Sequence, residues 1–422
     1  MKNSISILFA TMNHINTVLL LKSIERQLEE DTNFDTLLHV YIIDKTENQL
    51  IKDYANSLNL SYEVFIIKSK QISILESKHH HIFERSNCTL QSDSIQRARI
   101  QQQIYIVDNY NKFVDSIVWQ IDDDMLFAEG TIVNNEFITN YSRNYFSRLL
   151  NFYTKHKNID ALILPSTYAP PIPSLLYSET QLRDFFYGEQ LDQVNTSFYE
   201  YHDYYNRNRS DNTYSIFLSH LSKKQDKNKI VKDILIGKPI TKATYTIPNE
   251  EVIIPQKSSL LRGGNFIVFN IEIFKIPHLG FKENHHTSVR RSDMIHAHLL
   301  DAIGFNIRDL NDFTLVHNRS FEGVNFENCI KKYYSDMIGS LVVQYLYKGN
   351  TQFENRYLFY KSHIKRIIKL IQNNVDIKLF LEELKQLEEL EEKINAFDKD
   401  NFINSLYKFK ELKSRLIKEL CK

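Results

Sequence analysis

Three consecutive aspartates, Asp122, Asp123 and Asp124, directly follow the apolar stretch 117–121. Carboxylates that lie this close together repel one another, because each disfavours the charged form of its neighbours. A cation removes that repulsion, and hard oxygen ligands suit Mg²⁺ or Mn²⁺. The cluster therefore predicts a divalent-metal site at the end of a buried strand, and a solvated acidic turn is the alternative.

Glycine and histidine provide weaker signals. Gly263 and Gly264 are the one adjacent glycine pair in a chain that has 10 glycines in 422 residues. Glycine permits a close approach between backbone and ligand, although a tight turn would use it equally well. The histidines at 79–81 and 285–286 could bind a metal, but consecutive histidines on a loop have the wrong geometry for one site. We therefore expect those two loops to be solvated.

Composition argues against several classes of protein. Lys and Arg total 52 and Asp and Glu total 52, so the formal net charge is zero, which argues against a general nucleic-acid binder. Three widely spaced cysteines suit neither a disulfide framework nor a zinc cluster, and they favour a cytoplasmic location. No uncharged apolar run reaches about 18 residues, so we expect no membrane-spanning helix. Scarce glycine also disfavours the glycine-rich loops that cradle phosphates.

The first 165 residues alternate short apolar runs with helical patterns, which indicates parallel strand pairing in an α/β sheet covered by helices. Strands are predicted over 5–10, 38–43, 62–67, 117–121 and 159–164, and helices over 17–28 and 92–108. Ser92 or Asp93 is expected to cap the second helix. Ligands of such sheets bind beyond the carboxyl ends of the strands, which is where Thr11, Asp44 and the three aspartates lie.

The second half of the chain contains an insertion and then returns to a regular pattern. Residues 165–250 include a run rich in proline and tyrosine, and we expect an irregular or helical insertion over the site. A strand is predicted over 266–269 and a helix over 292–303. Gly304 is the expected C-cap of that helix.

The chain ends in a helical region. Three amphipathic stripes over residues 328–422 predict helices that must each bury one face. We expect that face to pack on the unit formed by residues 1–327. Contact with another copy of the chain is the second arrangement, and contact with a partner protein or a membrane surface is the third.

In their order and spacing, these segments resemble the nucleotide-sugar glycosyltransferases of the GT-A fold, most closely the large family-2-type group. The motifs that carry the resemblance are Thr11-Met12-Asn13-His14 after the first strand, Tyr41-Ile42-Ile43-Asp44 at the second, Ala98-Arg99 before the fourth, and Asp122-Asp123-Asp124 as a D-x-D motif. The resemblance implies a GT-A-type mixed sheet flanked by helices over residues 4–320. Lys45 and Ile100 stand where the family often has Asp and Asn, which leaves the nucleotide's identity open.

The resemblance implies a divalent metal and a nucleotide-sugar donor. Asp124 is expected to bind Mn²⁺ or Mg²⁺ directly, with Asp122 and His317 as further ligands, because a metal neutralises charge that develops on the leaving nucleoside diphosphate. The residues expected to contact the donor are Thr11, Asn13, Asp44, Arg97, Arg99, Asp122 and Asp123. For both arginines the alternative is ordinary charge on a helix surface, and a lone histidine is often structural.

The resemblance also implies an acceptor side in the second half of the chain. Asp293 lies in the first turn of a predicted helix, where an acidic residue takes the proton from the acceptor hydroxyl in inverting enzymes of this fold. A helix N-terminus keeps a carboxylate ionised, as a base requires. The alternative is that Asp293 merely caps the helix. The residues expected on the acceptor side are Gly263, Gly264, Asn265 and Arg291.

These expectations combine into a metal-dependent, hexosyltransferase-type glycosyltransferase. It would move a sugar from a nucleotide-sugar to a glycan or other hydroxyl acceptor with inversion, in bacterial polysaccharide or glycoconjugate synthesis. A retaining enzyme would not need the Asp293 base. A nucleotidyltransferase of related fold is less favoured, because residues 10–17 lack the glycine and basic residues of a triphosphate-binding loop. A non-enzymatic protein that acts through its helical tail, by self-association or at a membrane surface, is the remaining alternative.

Overall fold

Helices and strands alternate in the first half of the chain, and helices form its C-terminal part. The computed structural model describes residues 2–46, 50–88, 94–133, 136–141, 143–169, 172–187, 214–218, 226–238, 241–245, 254–283, 287–310, 312–321 and 323–421. The helices are α1 His14–Glu30, α2 Leu50–Ser57, α3 Ser69–Lys78, α4 His80–Arg85, α5 Ile95–Asp108, α6 Tyr110–Phe113, α7 Tyr145–Lys155, α8 Ser174–Tyr187, α9 Lys227–Leu235, α10 Ser292–Ile303, α11 Phe326–Lys348, α12 Asn350–Asn374, α13 Leu381–Asn395 and α14 Lys399–Leu420. The strands are β1 Ser4–Thr11, β2 Leu37–Asp44, β3 Glu63–Lys68, β4 Ser116–Ile121, β5 Met125–Leu126, β6 Glu129–Val133, β7 Glu136–Asn140, β8 Ala161–Ile163, β9 Ser166–Tyr168, β10 Tyr214–Leu218, β11 Thr241–Tyr245, β12 Gln256–Lys257, β13 Asn265–Val268, β14 Lys282–Glu283, β15 Thr287–Ser288, β16 Ile307–Asp309 and β17 Leu315–His317.

The central sheet joins eight described strands in the order β12-β16-β8-β13-β4-β1-β2-β3. Strands β4, β1, β2 and β3 pair in parallel, whereas β13 is antiparallel to both β4 and β8. The predicted fold class, an α/β protein with a mixed sheet flanked by helices and a C-terminal helical region, is therefore confirmed. Because the parallel strands run in one direction, their carboxyl ends meet at one edge, where Thr11 lies in register with Asp44.

Strands β1, β2 and β4 are apolar along most of their length because both faces of the sheet are covered. In β1, Ile7 and Phe9 pack with Trp119 on one face, and Leu8 packs on the opposite face. Residues of α1 and α7 cover the first face, whereas α5, α10 and the C-terminal helices contribute to the second. A shift of one residue in β1 would exchange these faces, so burial determines which side chains reach the functional edge.

A second sheet brings the two halves of the chain together. Among the described residues it has the strand order β10-β11-β9-β17-β5. Strand β17 pairs with β9 on one side and with β5 on the other, so His317 lies opposite Met125. This pairing places His317 beside the end of the aspartate cluster.

The C-terminal helices pack on the preceding part of the chain. Helix α11 contacts α8 and α10 as well as α12, α13 and α14. The first of the expected arrangements of the tail is therefore the one observed. A division of the chain into units 1–327 and 328–422 stays a prediction. In the part of the chain that the structure describes, no helix combines the length and apolar character needed to cross a membrane.

Several predicted details lie in the described residues and others do not. The predicted helix 292–303 matches α10, and Gly304 follows it with φ +107°. The predicted caps Ser92 and Asp93 lie outside the described residues, and Ser94 accepts from the Arg97 backbone N–H at 3.2 Å as the cap of α5. Much of 165–250, and the pair 285–286, also lie outside them. The described part of that insertion includes α8 and α9, which pack against each other.

Candidate active site

Asp123 and Thr11 connect the loop after β4 to the end of β1. The Thr11 hydroxyl donates to Asp123 Oδ2 at 2.6 Å, and Thr17 of α1 donates to the same Thr11 oxygen at 3.0 Å. Burial raises the pKa of Asp123 to about 7, and the charge of Asp124 adds to the shift. Thr11, expected to contact the donor, is thus hydrogen-bonded to Asp123. The raised pKa of Asp123 indicates that the negative charge of this carboxylate is poorly stabilised by the surrounding protein.

Asp124 and His317 form the pair best suited to a divalent metal. His317 Nδ1 lies 2.8 Å from the Ala169 carbonyl oxygen. That oxygen can only accept, so Nδ1 carries a proton. Nε2 lies 3.0 Å from Asp124 Oδ2. A proton on Nε2, or a cation between Nε2 and the carboxylate, would satisfy this contact, and about 3 Å is the spacing of neighbouring ligands in an octahedral shell.

The charge at Asp124 also fits a metal ligand. Burial by itself would raise the pKa of Asp124, but His317 and Arg319 outweigh burial and hold that pKa well below its usual range. Among the residues that the structure describes, no group of three His, Cys, Asp or Glu side chains is arranged to hold a metal. A metal bound by this pair would need phosphate oxygens or water to complete its shell, as Mg²⁺ commonly does.

Arg99 connects Asp122 to Asp293. This buried guanidinium donates from Nη2 to Asp122 Oδ1 at 2.6 Å and from Nε to Asp293 Oδ1 at 3.2 Å. Nη1 donates to the Ile121 carbonyl oxygen at 3.3 Å. Burial by itself would lower the pKa of Arg99, but the two carboxylates outweigh it and raise that pKa. Arg99 therefore sets the relative position of two acids, and these contacts favour that role over the expected contact with the nucleotide.

Asp293 lies in the first turn of α10, as predicted, and faces three basic side chains. Besides Arg99, His278 Nε2 lies 3.4 Å and Arg262 Nη2 lies 4.0 Å from Asp293 Oδ1. Burial, reinforced by the two arginines, holds the pKa of His278 well below its usual value, so this ring is neutral. Burial lowers the pKa of Arg262 to about 10, which leaves it charged at neutral pH. Two guanidinium groups thus stabilise the negative charge that a base needs.

A buried layer supports this group from behind. The His296 ring packs on His278 with 4.4 Å between centroids, and burial likewise holds its pKa well below the usual value. The Arg262 guanidinium lies 3.9 Å from the centre of the Phe266 ring and donates to Gln120. Packing on both sides therefore restricts the motion of the side chains nearest Asp293.

The glycine pair and Asn265 have different surroundings. A Cβ on Gly264 would come within 1.9 Å of Asp122 Oδ2, so any larger residue would have to displace that carboxylate. Gly263, which precedes it, is half-buried. Asn265 accepts from Trp119 Nε1 at 2.8 Å and donates to two backbone carbonyls at 3.1 and 3.2 Å. The Asn265 amide is therefore engaged inside the protein, and these contacts favour a structural role over the expected acceptor contact.

Asp44 and Asn13 are also engaged internally. Asp44 is buried, and its two carboxylate oxygens accept from Lys68 Nζ and from the Thr46 backbone N–H, each at 2.9 Å. Lys68 is 37% exposed and is the more accessible member of that ion pair. Asn13 is the N-cap of α1 and accepts from two of its backbone N–H groups at 2.9 and 3.2 Å. Any donor contact at the end of β2 therefore falls more naturally to Lys68 than to Asp44.

The structure does not bring Arg97 and Arg291 into the group around the aspartates. Arg97 donates to both carboxylate oxygens of Glu76, at 2.9 and 3.0 Å. Arg291 is buried and donates to Asp336 Oδ2 of α11 at 2.9 Å. Their predicted contacts with donor and acceptor remain predictions, and their observed partners are structural.

Sequence reasoning missed Arg262, His278 and two cations on the Asp124 side. Arg319 contributes to the low pKa of Asp124, and it also adds to the effect of burial in lowering the pKa of Lys332 on α11. The signals available for the two arginines were weak: one directly precedes the glycine pair and the other lies two residues after His317. No local pattern marks His278 or Lys332, because tertiary contacts alone bring them to the site.

Comparisons with known proteins are distant. No protein-family model matches the chain, and a search of curated proteins finds no match. Among solved structures, apo mouse xyloside xylosyltransferase 1 aligns at 14% identity over 43% of this chain, with a TM-score of 0.26, and this chain spans only 59% of its length. Mannosyltransferase PcManGT from Pyrobaculum calidifontis, in complex with GDP-Man and Mn²⁺, aligns at 9% identity over 98% of this chain and 86% of its own, with a TM-score of 0.37. S. aureus TarS 1-349 aligns at 11% identity over 93% and 91%, with a TM-score of 0.32.

Two of these three proteins are named as enzymes of sugar transfer. At such identities and TM-scores, the likeness does not decide what this chain does. The contacts among its own side chains are the evidence for its function.

Proposed function

We propose that this protein is a metal-dependent glycosyltransferase of the GT-A type that transfers a sugar from a nucleotide-sugar to a hydroxyl acceptor, with inversion. The observation that carries the proposal is the Asp124–His317 pair, in which a carboxylate oxygen and His317 Nε2 lie 3.0 Å apart. The chain of contacts from Asp122 through Arg99 to Asp293 begins in the same aspartate cluster. The proposed metal pair and Asp293, a partly buried acid held by arginine, are thus linked through the three consecutive residues Asp122, Asp123 and Asp124.

The donor side would be formed by Asp124, His317 and the nearby cations. Asp124 and His317 would hold Mn²⁺ or Mg²⁺, which neutralises charge on a departing nucleoside diphosphate when it is bound. Arg319 and Lys332 lie close enough to Asp124 to interact electrostatically with it, and such cations suit diphosphate oxygens. Asp122 and Asp123 would line the sugar side of this pocket.

The acceptor side would use Asp293 as the general base. The acceptor oxygen forms a bond to the anomeric carbon of the donor sugar, and the bond from that carbon to the diphosphate breaks. The proton of the acceptor hydroxyl goes to Asp293, whose charge Arg99 and Arg262 stabilise. We propose a glycan or other hydroxyl compound as acceptor, in bacterial polysaccharide or glycoconjugate synthesis in the cytoplasm.

The test is metal-dependent donor binding by the full chain. A thermal-shift screen against a panel of nucleotide-sugars should show a rise in Tm with a matching donor in the presence of Mn²⁺ and little without it. Asp124→Ala should weaken that binding by at least about 100-fold, because it removes the charged member of the metal pair.

Asp108→Asn is the matched control, since it also neutralises one carboxylate, in an ion pair with His79 at 3.0 Å. It should leave donor binding within about two-fold of wild type. Donor binding that is independent of metal, or that survives Asp124→Ala, would show the proposed mechanism to be wrong.

A further inference from the structure

The backbone just before the candidate base has an unusual conformation. Arg291 precedes α10 with φ +71°, in the left-handed region that residues other than glycine rarely adopt. Such a conformation persists only where surrounding contacts hold it. Asp293 follows two residues later, so the contacts that hold Arg291 also fix where this carboxylate lies.

Helix α11 of the C-terminal region supplies those contacts. Asp336 is buried and accepts from Arg291 Nη2 at 2.9 Å and from Arg291 Nε at 3.3 Å. The neighbouring Ser335 hydroxyl oxygen accepts from the Arg290 backbone N–H at 3.2 Å. Tyr360 of α12 also donates to Asp336 Oδ2, at 3.2 Å, and further fixes this carboxylate.

A glycine in the middle of α11 allows this approach. A Cβ at Gly339 would come within 2.1 Å of the Arg290 carbonyl oxygen and 3.4 Å from the Arg291 Cβ. Glycine lowers the stability of a helix when it lies in the helix interior. Its presence in the middle of α11 therefore points to a packing requirement. Gly339 lies one turn after Ser335 and Asp336, and these three positions form one face of α11 against residues 290 and 291.

We propose that this face of α11 positions the general base, with Asp336 as a positioning residue that holds Arg291 and thereby the first turn of α10. The proposal rests on the function proposed above, in which Asp293 takes the acceptor proton. It makes the C-terminal helices part of the catalytic unit. The proposed metal pair, Asp124 and His317, lies outside α10, so a displaced α10 would slow proton transfer and leave metal-dependent donor binding largely intact.

A second buried ion pair, also between the C-terminal helices and the preceding part of the chain, provides the matched control. Glu179 of α8 is fully buried, and both its carboxylate oxygens accept from Arg366 Nε of α12 at 2.9 Å. Like Asp336, Glu179 is a buried acid whose arginine partner lies on the other side of the contact between the C-terminal helices and the rest of the chain. Unlike Asp336, it does not contact residues 290–293 in any hydrogen bond or ion pair that the structure describes.

The experiment compares Asp336→Asn with Glu179→Gln in the full chain. Both variants should lose unfolding free energy, since each weakens a buried ion pair. Asp336→Asn should lower kcat by about ten- to 100-fold while KM for the donor and metal-dependent donor binding stay within about two-fold, because a misplaced base slows only the chemical step. Glu179→Gln should keep kcat within about two-fold of wild type.

Two further variants keep the test decisive if Asp336→Asn folds poorly. Asp336→Glu retains the charge and should recover most of kcat, and Gly339→Ala should lower kcat by displacing the Arg290 carbonyl. Equal kcat for Asp336→Asn and Glu179→Gln, or a rise in donor KM with unchanged kcat, would overturn the positioning role alone. A wild-type protein without metal-dependent donor binding or transfer would overturn the proposed function, and the positioning role with it.

Discussion

The candidate active site and the interface with the C-terminal helices both contain acids paired with arginine, but the two groups differ in accessibility. Asp122 and Asp124 retain side-chain exposures of 36% and 21%. Glu179 and Asp336, in the interface, retain 0% and 2%. A carboxylate that is paired and fully buried is committed to its protein partner, whereas one that keeps contact with solvent can still bind a ligand. Accessibility therefore separates the functional acids from the structural ones.

Charge balance separates the two regions in a second way. In the interface, Glu179 meets the two arginines Arg183 and Arg366. At the site, Asp123 meets a hydroxyl and another acid, and burial together with that acid raises its pKa to about 7. In the described contacts, Asp122 pairs with Arg99 and Asp124 lies near His317 and Arg319, so Asp123 carries the negative charge that a bound cation would compensate.

Replacing Arg99 by Leu should have the largest effect on this comparison. The change leaves Asp122 and Asp293 without their shared guanidinium, and removal of one partner of a buried pair typically costs about 3–5 kcal/mol of unfolding free energy. Transfer activity should fall by at least about 100-fold. Urea unfolding and a sugar-transfer assay measure the two effects.

Arg366→Leu is the counterpart in the interface. It should also lower the free energy of unfolding, but donor binding should stay within about two-fold of wild type. Equal losses of transfer in the two variants would mean that the site and the interface are not functionally distinct.

Mild acid should lower the free energy of unfolding through buried histidines in both regions. Burial holds the pKa of His278, His296 and His363 well below the usual value, so the folded protein keeps these rings neutral. The unfolded chain takes up protons near pH 6.5, so their contribution is complete above that pH and falls below it by about 1.4 kcal/mol per pH unit for each histidine. Urea unfolding at pH 7.5 and 5.5 measures this slope.

His363→Gln measures how much of this pH dependence of the unfolding free energy comes from the interface with the C-terminal helices. The variant should reduce the acid slope by one histidine's share, about 1.4 kcal/mol per pH unit, and leave metal-dependent donor binding at pH 7.5 unchanged. An unaltered slope would show that His363 is not kept neutral by the fold.

Gly264→Ala should have the smallest effect on stability and a selective effect on binding. The new Cβ would displace the Asp122 carboxylate, so donor affinity should fall by about ten-fold. Gly304→Ala is the control, because Gly304 has φ +107° and nothing lies within 4 Å of its added Cβ. It should cost about 1 kcal/mol of stability with no change in donor affinity. Similar donor affinities in the two variants would show that the position of Asp122 does not affect donor binding.

The parts of the fold that could be predicted from sequence are those where local pattern and burial agree. Strands β1 and β2 match the predicted apolar runs to within one residue at each end, and α10 spans the predicted residues 292–303 with Gly304 as its C-cap. The aspartate cluster was placed correctly because an apolar strand leads directly into it. Strand β8, by contrast, is shorter than the predicted run 159–164, since its pairing with β13 spans only three residues.

The partners of the predicted site residues could not be read in the same way. Arg97 and Arg99 lie two residues apart on α5, and Arg97 pairs with Glu76 while Arg99 joins Asp122 to Asp293. Arg291, expected on the acceptor side, is instead buried and paired with Asp336 of α11. Hydrogen-bond partners from segments tens to hundreds of residues away decide which polar atoms remain open to a ligand.

The sequence by itself determined the alternation of strands and helices, the edge where the aspartates emerge and the position of Asp293 at a helix start, because periodicity and caps are local. The tertiary structure decided that His317 faces Asp124, that Arg99 links two acids 171 residues apart along the chain, and that the helical tail holds the turn before Asp293. These depend on strand order and helix packing, which set the distances between side chains that no local pattern relates.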